Sequence, residues 1–124
     1  MSQKRPKHLD LTKIRLPLPA LVSILHRASG AVLFLFIWLF LYGLEQSLSS
    51  PQGFTFIKSF VAHPLAKLLL LGFLWAYLHH LCAGIRHLAM DAHYGTELAA
   101  ARASSWAVLA VSIGLTLAAA VALW

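Results

Sequence analysis

Three stretches of the chain contain no Asp, Glu, Lys or Arg: Ala28–Leu44, Leu68–Ile85 and Ala103–Trp124. Each approaches the roughly 20 apolar helical residues that cross a bilayer core of about 30 Å. With their mixed flanks they predict three transmembrane helices near 21–44, 64–88 and 103–124, within a single domain covering 1–124. All five prolines (Pro6, Pro17, Pro19, Pro51 and Pro64) fall outside the apolar cores or at a helix entry, where the missing N–H costs nothing. Trp106 and Trp124 bracket the third span, ~27 Å apart at the α-helical rise, as expected of rings that settle at headgroup level. The polar run SLSSPQGF makes the connection from Leu44 to His63 read as a loop. The first twenty residues are polar and punctuated by proline, unlike a cleavable signal peptide.

Composition removes a soluble alternative. Of 124 residues 60% are hydrophobic and 11% charged, and the mean hydropathy is +0.75. A water-facing domain carries about 25% charge. Cys82 is the single cysteine, so the chain can form no internal disulfide and cannot ligate an iron–sulfur cluster alone. The net charge of +6 is local. Lys4, Arg5, Lys7, Lys13 and Arg15 precede the first span, and alternating helices place Arg27, Arg86 and Arg102 on the same side. The opposite side keeps only Lys58 and Lys67. The positive-inside rule then predicts a cytoplasmic 1–20 segment, with Leu44–His63 and Trp124 on the outer face. No nucleic-acid partner is expected.

Ionisable groups are costly in hydrocarbon and usually face a partner, a cofactor or water. His80, Gly84, His87 and Asp91 recur at i, i+4, i+7 and i+11 and share one helical face. An imidazole one turn from a glycine, in a dry setting, suits a flat cofactor, and neutral imidazole is a common axial ligand of haem iron. In the first span Ser23, Arg27 and Gly30 sit at i, i+4 and i+7, with His26 beside them. Arg27 and His26 could meet haem propionates at the interface with charge-assisted hydrogen bonds. Plainer readings compete at each position. Arg27, Arg86 and Asp91 are near span ends and could snorkel. The glycines could serve close helix packing alone. Cys82 reads as a small apolar filler. His79 and His80 point about 100° apart, so only one can face a given cofactor, and spacing does not choose between them.

Three segments together, RPKHLDLTKIRLPLPALVSILHRASG (Arg5–Gly30), SLSSPQGF and HHLCAGIRHLAMD (His79–Asp91), resemble the cytochrome b membrane-anchor subunits of succinate dehydrogenase. These are the larger of the two small anchors of respiratory Complex II, and the resemblance is to the bacterial type. It implies a three-helix protein in the bacterial inner membrane, forming part of a heterodimeric anchor bundle with a second small anchor subunit. It implies that His80 ligates haem b, the other axial histidine coming from that second anchor. It also implies that His26, with Arg27 close by, meets a haem propionate, and that Ser23 and Arg27 line a ubiquinone pocket. The remaining partners implied are an iron–sulfur subunit and a flavoprotein. The chain has neither a flavin fingerprint of the G-x-G-x-x-G type nor a cysteine cluster, so succinate oxidation is expected elsewhere.

Three other classes fit parts of the pattern. A small membrane transporter usually shows inverted repeats or an acid at mid-membrane, whereas Asp91 and Glu97 fall in the connection after the second span. A non-haem scaffold or assembly protein explains packing but not the Ser23–Arg27 and His80–Gly84 pairings. A self-contained cytochrome would place His26 and His80 on one iron.

Overall fold

The computed structural model describes Asp10 and residues 12–124. Most of the basic segment 1–20 therefore lies outside the described residues. In the part described, Thr12 donates to the Asp10 carboxylate from its hydroxyl (2.6 Å) and its N–H (3.1 Å), which holds that carboxyl below its ordinary range.

Four helices follow in chain order: α1 (Leu18–Ser49), α2 (Pro51–Ala62), α3 (Pro64–Asp91) and α4 (Leu98–Leu123). Three of them, α1, α3 and α4, are long and apolar enough to cross a membrane, and no strand occurs among the described residues. The expected architecture of an all-α, three-span membrane protein is thus observed. At 32 residues α1 is about 48 Å long and outruns the apolar stretch that predicted it.

The connection expected as a loop from Leu44 to His63 is instead helical, apart from Ser50 and His63. Its serine, proline and glycine residues act as helix-start signals. Ser50 is extended and its Oγ accepts from the Gly53 N–H at 3.0 Å, while Pro51 occupies the first turn, where it needs no donor. A Cβ at Gly53 would collide with the Gln46 carbonyl oxygen, so glycine lets α2 fold back over the end of α1. His63 repeats the device for α3: its Nδ1 accepts from the Leu65 N–H at 3.2 Å ahead of Pro64. The α3–α4 turn needs two left-handed residues, His93 (φ 64°) and Gly95 (φ 66°).

The long helices alternate in direction. His26 near the start of α1 meets His80 toward the end of α3, and Arg86 meets Ser104 near the start of α4. At the other end the Lys67 ammonium donates to the Leu123 carbonyl at 3.3 Å and lies over the Trp124 ring. Arg27, Arg86 and Arg102 therefore share one end, and Lys67 marks the opposite one. Apart from His79 and Arg86, the buried positions are small: Ala66, Ala76, Ala83, Ala101, Val22, Val108, Ser29, Ser105 and Ser112. Large apolar side chains point outward, among them Phe34, Trp38 and Val121. Helices that approach through small residues and turn bulk outward are the expected solution in lipid, where exposure of Leu or Phe carries no penalty. Cys82 packs on the Val22–Ala83–Val108 cluster, in keeping with a filler role.

Candidate functional site

The polar residues of α1 and α3 converge where those helices cross. His80 is half-buried, and its Nδ1 lies 2.9 Å from the main-chain carbonyl oxygen of His26. A carbonyl can only accept, so Nδ1 carries the proton and donates, and Nε2 keeps its lone pair. The Ser29 hydroxyl lies 3.3 Å from the same Nδ1 and donates to the same carbonyl at 2.9 Å. The His26 and His80 rings stack with centroids 4.2 Å apart and planes 7° from parallel, and His87 meets the His26 ring edge-on at 5.0 Å. His80 Nε2 has no hydrogen-bond partner among the described residues, and it is not one of the enclosed unpartnered atoms.

Two glycines lie at this crossing, and it depends on one of them. A Cβ at Gly30 would stand 2.7 Å from His80 Cε1 and 3.1 Å from its Nδ1, so the ring occupies the space that a side chain would fill. A Cβ at Gly84 would stand 3.5 Å from His26 Nε2, an ordinary contact. Along α3, the glycine one turn from His80 is Gly84. Across the helix crossing, the glycine that makes room for His80 is Gly30.

His79 faces the other way. It is fully buried, its ring lies 5.2 Å from that of Trp75, and neither ring nitrogen has a partner among the described residues. The structure thus separates the two adjacent histidines, one into the three-helix core and one onto α1. His26 and His80 meet face to face, as parallel rings 4.2 Å apart.

Ser23 and Arg27 lie one turn apart on α1, Ser23 half-buried and Arg27 exposed. Arg27 makes no ion pair among the described residues, where the one salt bridge joins Lys13 to Asp10. Asp91 is exposed at the end of α3. Arg86 does not snorkel: only 7% exposed, it donates from Nε to Ser104 Oγ at 2.9 Å and from Nη2 to the Ala101 carbonyl at 3.3 Å. Ser104 and Ser105 also donate to that carbonyl, at 3.1 and 2.7 Å. Sequence reasoning gave Arg86 no such role, although a serine pair at the start of the third span was the available signal.

Comparison with known proteins bears on the whole chain. The family described as succinate dehydrogenase/fumarate reductase transmembrane subunit matches residues 1–119. The chain belongs to this family. It is 41% identical to the succinate dehydrogenase cytochrome b556 subunit of Coxiella burnetii, over the full length of both chains. It is 40% identical to the subunit of the same name from Paracoccus denitrificans, covering 90% of this chain and 85% of that one. Against the Rickettsia typhi subunit identity is 32%, over 92% and 89% of the two chains. The resemblance read from the three sequence segments is therefore correct, and the chain is a multi-pass membrane protein related to succinate dehydrogenase cytochrome b anchors.

Proposed function

We propose that this chain is the haem b-binding membrane-anchor subunit of a succinate:ubiquinone oxidoreductase. The observation that carries the reading is the state of His80: Nδ1–H is engaged by the His26 carbonyl, and Nε2 has no hydrogen-bond partner among the described residues. Metal-bound histidines characteristically donate their second ring N–H to a carbonyl or carboxylate, which fixes tautomer and orientation. An imidazole whose other nitrogen is already fixed by a carbonyl is a donor that suits haem iron. His80 Nε2 would hold the iron of haem b, which a second small anchor subunit would share. Haem b, when bound, supplies a one-electron redox centre between the two chains.

His26, stacked on His80, would with Arg27 bind a propionate through charge-assisted hydrogen bonds. Ser23 and Arg27 would line the quinone pocket. The Ser23 hydroxyl donates to a quinone carbonyl oxygen, and the Arg27 guanidinium, exposed and without an internal ion pair, stabilises negative charge there as electrons arrive. An iron–sulfur subunit, carrying electrons from a flavoprotein, would dock on the basic end of the bundle. The charge asymmetry supports a bacterial inner-membrane protein with that end in the cytoplasm.

The test is co-expression with the other three subunits, followed by purification and a visible spectrum of the reduced complex. Low-spin haem bands that vanish in His80→Ala and persist in His79→Ala support the assignment, and the reverse pattern defeats it. Cysteine-accessibility mapping that found position 4 outside and position 58 inside would overturn the topology.

A further inference from the structure

Serines in membrane helices commonly return their hydroxyl to the carbonyl three residues back, and Ser47, Ser49 and Ser112 do so here. Ser29 makes the same bond to His26, but its Oγ also lies 3.3 Å from the Nδ1 of a histidine on a different helix. It is 6% exposed, so water does not compete for either contact. His80 Nδ1 is thus bracketed by two oxygens of α1, the His26 carbonyl and the Ser29 hydroxyl, while Gly30 leaves open the space its ring occupies.

We infer that Ser29 is a positioning residue for His80, fixing the ring plane of the imidazole and keeping its proton on Nδ1. The inference rests on His80 being a haem ligand. Ser29 does not touch the iron. Its hydroxyl orients the carbonyl that accepts from Nδ1 and presents its own lone pair to the same N–H. Rotation of the ring about Cβ–Cγ would break both contacts at once. The ring plane matters because the angle between two axial imidazole planes sets the g-tensor of a low-spin ferric haem, which can be read without any turnover.

The experiment is electron paramagnetic resonance of the oxidised four-subunit complex carrying Ser29→Ala, Ser29→Cys or Ser29→Thr. The alanine variant removes both contacts and is expected to displace and broaden the gmax signal. Ser29→Cys, close in volume to serine and weaker at hydrogen bonding, gives a smaller displacement in the same direction and stands in if the alanine variant does not assemble. Ser29→Thr, whose hydroxyl can bond the same i−3 carbonyl, restores the wild-type signal. An unchanged gmax position and width in both the alanine and cysteine variants overturns the inference, as does a displacement that threonine does not correct. A wild-type complex without low-spin haem would instead remove the reading of His80 on which the inference rests.

Discussion

His80 on α3 and His26 on α1 are joined twice, by a parallel ring stack at 4.2 Å and by the 2.9 Å bond from His80 Nδ1 to the His26 carbonyl. The stack sets how closely the rings approach, and the hydrogen bond sets which nitrogen of His80 faces outward. Together they convert a helix crossing into an oriented lone pair.

His80→Ala removes that lone pair. The complex is expected to lose its low-spin haem bands, as measured by the reduced-minus-oxidised spectrum and by haem extraction per mole of complex.

His79→Leu is expected to behave oppositely. The imidazole is buried with both nitrogens unpartnered, so an apolar replacement removes a desolvated polar group from the core. Haem content stays at the wild-type level, and stability to thermal unfolding in detergent holds or rises by about 1 kcal/mol.

The two glycines of the crossing differ in what they tolerate. Gly30→Ala forces its Cβ against the His80 ring at 2.7 Å, so the complex loses haem or binds it with a displaced spectrum. Gly84→Ala meets His26 Nε2 at 3.5 Å and keeps the wild-type spectrum. Parallel haem quantitation of the two variants checks this contrast.

Ser23→Ala and Arg27→Leu are expected to slow succinate-to-ubiquinone electron transfer while sparing succinate oxidation by a soluble artificial acceptor. A neutral hydrogen bond is worth roughly 3- to 10-fold and a charged one roughly 10- to 100-fold, so the arginine variant is the slower. The ratio of the two activities in one preparation separates a quinone-site defect from failed assembly.

Arg86→Ala removes the link from α3 to Ser104 and the Ala101 carbonyl. Loss of these charge-assisted bonds costs about 2–3 kcal/mol and lowers the thermal unfolding temperature of the detergent-solubilised complex. Arg86→Lys restores little of it, because one ammonium cannot reproduce the geometry of two separate guanidinium nitrogens.

The three spans were legible in the residues because uncharged stretches of bilayer length have few other solutions in water or lipid. The segregation of arginines to one end followed from alternating helices and the positions of Arg27, Arg86 and Arg102 near span ends. The segment Leu44–His63 was misread because Ser50, Pro51 and Gly53 carry the same signature whether they interrupt a helix or begin one. What decides is whether a partner lies close enough for the glycine to matter, and here it is the Gln46 carbonyl. Periodicity put Ser23, Arg27 and Gly30 along α1, and His80, Gly84 and His87 along α3, as separate stripes.

How those stripes meet belongs to the tertiary structure. Period and spacing fix which residues share a face of one helix, but they say nothing of the rotation and height at which a second helix arrives. Only the crossing set Gly30 against His80, turned His79 into the core, gave Ser29 a second partner and buried Arg86 against α4. Sequence by itself determined a membrane protein with three spans and a charged end, because hydrophobic length is a property of the chain. The geometry of the candidate ligand was decided between helices, because a hydrogen bond needs its donor and acceptor placed to within a few tenths of an ångström.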